Sequence, residues 1–178
     1  LAEPRGATVA ALARCPGDLV VLGAGGKMGP TLARMAIAAA RLADGPRPRR
    51  VIAVSRFSSP RAEAALRDAG VHTIRCDLLD RNAVNALPDA ANVVFMAGQK
   101  FGTRDAPSRT WMMNVVLPAI CAERYAGART VVFSTGNVYP LTPVCAGGAR
   151  ESDPPAPMGA YAWSCLGRER VFEHAAAA

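Results

Sequence analysis

The chain has 178 residues, 51% hydrophobic, 20% charged and 6% aromatic, a composition that supports one buried core and excludes an extended disordered chain. Its charge of +7 comes largely from 19 arginines scattered among 36 alanines, with one short basic run at 47–50 and no interleaved aromatics, which argues against a nucleic-acid partner. Five cysteines without C-x-x-C spacing and two distant histidines, His72 and His174, exclude a disulfide framework and a zinc site, so no metal is expected and a reducing cytoplasm fits.

Residues 1–17 read as an N-terminal extension with a short helix at 9–14. From Asp18 to the end, apolar runs alternate with helix-length segments, the pattern of parallel strands joined by crossovers. Strands are expected at 19–22, 51–55, 71–75, 92–97 and 130–134, β-rich runs taken as strands covered on both faces. Helices are expected at 28–43, 60–69, 81–86, 108–125 and 158–177, the fourth kinked at Pro118. The uncharged apolar stretch 110–122 is too short to span a bilayer and no signal-peptide pattern precedes it, so no membrane partner is expected. Right-handed crossovers predict a Rossmann-type doubly wound parallel α/β sheet of order 3-2-1-4-5 over residues 18–178, its crevice at the carboxyl ends of strands one and four.

The first strand runs into Gly23-Ala24-Gly25-Gly26-Lys27-Met28-Gly29 and then a helix. Glycines there permit a sharp turn, close approach of backbone to a pyrophosphate and tight helix–strand packing, while the helix N-terminus supplies amide donors. The strand–loop–helix context makes a purely structural turn the weaker reading.

The G-x-x-G-x-x-G spacing of Gly23, Gly26 and Gly29 resembles the extended short-chain dehydrogenase/reductase family, also called the NAD-dependent epimerase/dehydratase family. The resemblance runs from about Asp18 to Glu173 and implies a nicotinamide dinucleotide cofactor bound by Gly23, Gly25, Gly26, Lys27, Met28 and Gly29. Where an NAD-preferring relative carries an acidic residue after strand two, this chain has Ser55-Arg56, which favours NADP over NAD because a guanidinium clamps a 2′-phosphate. Asp77 and Leu78 resemble the family's adenine site, although Asp77 also reads as a helix cap, a role for which Asp80 is better placed. Ala97, Gly98 and Gln99 resemble its small-residue turn over the cofactor, and Asn114 its supporting asparagine.

By the same resemblance, Ser134-Thr135-Gly136-Asn137-Val138-Tyr139 puts Thr135 at the catalytic hydroxyl, and Tyr161 takes the position of the proton-transferring tyrosine, which also borders the cofactor. Four residues on, where the family carries lysine, stands Cys165, a neutral thiol that neither lowers a phenol pKa nor holds ribose hydroxyls. Arg168 shares the helix face of Tyr161 and Cys165 and is a candidate for part of that charge; the plainer reading is a surface arginine beside Glu169.

The resemblance implies an epimerase, dehydratase or reductase working by hydride exchange on a sugar-nucleotide-like or carbonyl/alcohol substrate. The alternative is a non-catalytic NADP-binding regulator or scaffold, favoured by Cys165. The family's C-terminal substrate lobe is not found in this sequence, so an open edge is expected at strand five. The helices at 108–125 and 158–177 resemble those of the family's homodimer.

Overall fold

The computed structural model describes residues 2–45, 49–102 and 105–177; residues 47 and 48 of the basic run lie outside them. Short runs rich in β-branched residues form the sheet: β1 (Leu19–Leu22), β2 (Val51–Ser55), β3 (His72–Arg75), β4 (Asn92–Phe95) and β5 (Arg129–Val132). All neighbours pair in parallel, in the order β3-β2-β1-β4-β5, with Leu19 of β1 opposite Val51 of β2 and Asn92 of β4. The expected Rossmann-type order therefore holds.

Alternating side chains split the core into two layers. Val20, Leu22, Ile52, Val54, Val93 and Phe95 pack on one side with Leu117, Ile120 and Cys121, and Phe172 closes over Phe95 at a ring separation of 5.0 Å. Leu19, Val21, Val51 and Ala53 pack on the other with Ala33, Ala36, Ile37 and Leu66. The helices in chain order are α1 (Gly6–Ala13), α2 (Gly29–Ala43), α3 (Pro60–Asp68), α4 (Arg81–Asn85), α5 (Pro107–Trp111), α6 (Leu117–Arg124) and α7 (Gly159–Ala177).

Three expectations are corrected. Only β1, β2 and β4 are covered on both faces; β3 and β5 are sheet edges with exposed positions, and Val131 on β5 is 60% exposed. The fourth helix is not one kinked helix, because a π-helical turn over Met112–Val116 separates α5 from α6. Pro118 explains the break: it has no N–H to return to the Asn114 carbonyl, and it sits in the first turn of α6, where none is needed. The N-terminal helix starts at Gly6, earlier than expected, and packs on α2.

That N-terminal segment is tied to the sheet. Buried Asn92 places its Nδ2 at 3.1–3.3 Å from the carbonyls of Cys15, Pro16, Gly17 and Asp18. Arg49 donates to the Leu12 carbonyl at 2.9 Å and to that of Cys15 while pairing with Asp44. All five cysteines are free thiols. Among the described residues no helix is long and apolar enough to cross a membrane.

Candidate active site

The turn after β1 is shaped by β2. The Val54 carbonyl accepts from the amides of Gly23 at 2.9 Å and Ala24 at 3.1 Å, which swings the chain off the strand immediately after Leu22. Gly23 has φ of +87°, and a Cβ there would meet the Ala97 nitrogen at 2.6 Å. At the start of α2, a Cβ on Gly29 would lie 2.3 Å from the Ala24 carbonyl oxygen. Strand, turn and helix are thus packed backbone on backbone, and the positive end of the 15-residue helix α2 faces the loop.

This turn borders a cavity of about 330 Å³, within the span of small-molecule sites. Of the residues expected at the cofactor, Gly23, Gly25, Gly26, Ser55, Arg56, Asp77, Leu78, Ala97 and Gly98 line it. Arg56 is exposed at the end of β2. Asp80 caps α4, accepting from the amides of Asn82 and Ala83, whereas the side chain of exposed Asp77 accepts only from the Leu79 amide among the described hydrogen bonds, and Asp77 lines the cavity wall. Lys27 and Met28 are exposed on the turn outside the wall.

Gln99 and Asn114 lie behind the cavity. Asn114 is fully buried in the π-helical turn; its Oδ1 accepts from the Gln99 amide at 2.8 Å, and its Nδ2 donates to the Gln99 carbonyl at 3.0 Å and to Ser164 Oγ at 2.9 Å. One side chain thereby fixes the turn after β4 and ties it to α7. Phe57, Ser58, Cys76, Met96, Met113 and Leu117 also line the cavity, beyond the residues expected there. Met113 and Leu117 were findable, since their i, i+4 spacing puts them on one helix face; Phe57, buried with φ of +47°, carries no such signal.

Thr135 and Tyr161 meet side chain to side chain, and neither lines the cavity wall. Thr135 follows β5 and its hydroxyl caps a short 3-10 turn at Gly136–Val138, accepting from the Asn137 amide at 3.3 Å. Tyr161 sits in the first turn of α7, which Ser164 braces by donating to the Tyr161 carbonyl at 2.8 Å. Burial, and next the neighbouring Cys165, push the Tyr161 phenol above its ordinary pKa, against the opposing pull of the Thr135 hydroxyl and the Arg168 charge. Cys165 is fully buried, and burial likewise raises its thiol, so it stays neutral at physiological pH. Arg168 is no surface arginine: it is 6% exposed, with Nη1 3.4 Å from the Ala97 carbonyl. Helical periodicity puts Arg168 on the face of Cys165, and the turn that covers it follows β4, distant in sequence.

No curated protein matches the chain. Among solved structures it is similar to MoeE5 in complex with UDP-glucuronic acid and NAD, at 27% identity and a TM-score of 0.68, covering 90% of this chain and 50% of that one. It is also similar in fold to the UDP-glucuronic acid 4-epimerase from Bacillus cereus in complex with UDP-glucuronic acid and NAD (19% identity, TM-score 0.69, 89% of this chain and 52% of that one). WbmG from Bordetella bronchiseptica in complex with NAD gives 20% identity and a TM-score of 0.69, over 89% of this chain and 49% of that one. The chain therefore spans about half the length of these structures. Residues 19–178, which include the glycine turn, Thr135 and Tyr161, match the NAD dependent epimerase/dehydratase family, and to that family the chain belongs.

Proposed function

We propose that the chain is the dinucleotide-binding part of an enzyme that exchanges hydride with a sugar-nucleotide-like or other carbonyl/alcohol substrate, as an epimerase, dehydratase or reductase. The observation that carries this reading is the turn after β1, closed backbone to backbone at Gly23 and Gly29 and open to a cavity where the sheet order reverses. Gly25 and Gly26 leave room there for a diphosphate at the positive end of α2. Asp77 and Leu78 suit an adenine, and the small Ala97 and Gly98 suit a ribose. MoeE5, solved with NAD and a UDP-sugar, supports the cofactor and substrate classes. Arg56, exposed on the cavity wall, supports NADP over NAD.

A bound nicotinamide supplies the centre that takes up or returns hydride at the substrate carbon. The chain's own part is the oxygen next to that carbon. Thr135 donates a hydrogen bond to it and Tyr161 gives it a proton. Because burial keeps the phenol protonated at neutral pH, Tyr161 is suited to donating toward a carbonyl being reduced.

Calorimetric titration with NADPH and NADH tests the reading. Both nucleotides bind, NADPH about tenfold more tightly, and Arg56→Ser removes that preference. Binding of neither overturns the function; equal affinities in the unaltered chain overturn the choice of NADP alone. The buried neutral Cys165, at the place of the family lysine, favours a second reading, a non-catalytic NADP-binding regulator or scaffold. Cys165→Lys separates the two: a large gain in turnover marks an enzyme, and binding without turnover in either form marks a scaffold. Exposed Trp111, Met112 and Trp163 support a homodimer through the helices at 107–124 and 159–177.

A further inference from the structure

Arg168 is a buried cation without a buried anion. Its Nε has no hydrogen-bond partner, and among the described residues no carboxylate lies within ion-pair distance of its guanidinium. The other buried arginine, Arg49, is matched by Asp44. Leaving a buried guanidinium half-satisfied is costly, and a fold tolerates it where the charge acts on something that arrives or ionises later.

The surroundings narrow what that is. A Cβ on Gly98 would come within 2.9 Å of Arg168 Nη1, so the guanidinium lies directly under the turn after β4. From the π-helical turn, the Asn114 carbonyl oxygen is already engaged by the Gln99 amide. On the β5 side, Ser134 donates to Glu169, whose carboxylate makes no ion pair with Arg168 among the described residues, and Thr135 is uncharged. On α7 itself the remaining groups are the Cys165 thiol and the Tyr161 phenol, and the Arg168 charge pulls each toward its ionised form.

We propose that Arg168 is the fixed counter-charge of the site, stabilising the phenolate that Tyr161 becomes once its proton has gone to the substrate oxygen. The positive charge that Cys165 does not carry is thus supplied three residues further along α7, two turns from Tyr161, by a guanidinium that lies under Gly98. A guanidinium suits this role because it stays protonated at every working pH. Arg168 acts through Tyr161 and is a positioning residue. The substrate step rests on the function proposed above; the pairing with Tyr161 is a property of the free chain.

The test is an ultraviolet titration of tyrosinate in the chain without cofactor. Parallel Tyr161→Phe variants isolate Tyr161 from Tyr125 and Tyr139. Arg168→Met raises the Tyr161 midpoint by about one pH unit, a tenfold change in ionisation constant, and Arg168→Lys restores it. Should Arg168→Met not fold by circular dichroism, Arg168→Gln or the pair Cys165→Lys/Arg168→Met takes its place, the first raising the midpoint and the second returning it toward that of the unaltered chain. A midpoint that stays put in the uncharged variant that folds overturns the proposal. Nucleotide titration of the same variants keeps the two readings apart. A shifted midpoint without nucleotide binding overturns the function and leaves the pairing; nucleotide binding with an unmoved midpoint does the reverse.

Discussion

The two turns that frame the cavity are built by different means. After β1, the chain is turned by backbone: Val54 holds the amides of Gly23 and Ala24, and α2 meets that turn with no side chain between. After β4, the chain is turned by side chains: Asn114 clamps Gln99 from both sides and Arg168 reaches under Ala97. A backbone-packed turn tolerates almost no added atom, whereas a turn held by side chains is tuned by their charge and hydrogen bonding. The first suits the invariant job of cradling a ligand common to many enzymes, and the second suits chemistry that differs from one to the next.

The largest expected effect falls on the side-chain half. Tyr161→Phe removes the proposed proton donor and lowers turnover about 10²–10⁴-fold. The unfolding midpoint stays within error because Tyr161 is only half-buried, and nucleotide affinity changes little because Tyr161, although expected at the cofactor, lies outside the cavity wall. A parallel loss of nucleotide binding would merge the two halves that the geometry keeps apart.

Next comes the backbone half. Gly29→Val places a Cβ where only 2.3 Å separates it from the Ala24 oxygen and costs about 3 kcal/mol, read as a lower urea midpoint. Nucleotide binding falls with it, since α2 must shift away from the turn. Unchanged stability would mean that the turn after β1 is as adjustable as the one after β4.

The same division explains what the sequence revealed. Gly23 and Gly29 are readable because the backbone leaves no room there for a side chain, by the φ of +87° at Gly23 and by the Ala24 carbonyl at Gly29, and Gly26 is readable from the spacing between them. Strand order followed from alternation and handedness, which are equally local rules. Arg168 was readable as a candidate charge on the face of Tyr161, but its burial and the π-helical turn were not readable. The burial of Arg168 depends on Gly98, 70 positions away, and the π turn depends on Pro118 together with the partners that Asn114 finds in Gln99 and Ser164. The open edge at β5 was expected, and the polar His72, Thr73 and Arg75 within 71–75 also mark β3 as a strand of the rim.

Asn114→Ala sharpens the contrast at intermediate size. It leaves the Gln99 amide and carbonyl without their partner and costs about 1–3 kcal/mol in urea unfolding. Turnover drops further than stability alone accounts for, because the turn over Arg168 loosens while the Gly23 turn does not. Asn114→Asp keeps an acceptor for the Gln99 amide and places an anion close to Arg168. It retains more stability than alanine, yet it neutralises the field at Tyr161 and so depresses turnover.

The smallest effect at neutral pH comes from the ionisable groups, and it divides the halves by the direction of pH. On the β1–β3 side, Arg75 and then Arg67 hold the Glu63 carboxyl below its ordinary pKa, and Arg49 does the same for Asp44. A carboxyl depressed by folding stabilises the chain above its unfolded pKa, near 4, and that contribution is lost as pH falls through the lower folded value. On the β4–β5 side, burial pushes the Cys121 thiol and the Tyr125 phenol up to about 12 each. For these groups the unfolded chain ionises first, so stability is full below pH of about 9 and declines as pH climbs toward 12. Amide hydrogen exchange across the pH range checks this. Acid opens α3 and β3 first, alkali opens α6 first, and Glu63→Gln abolishes the acid branch for α3 while leaving the alkaline branch in place. Simultaneous opening of both halves at either extreme would show that the sheet unfolds as one unit and that the contrast between the two turns stops at the site itself.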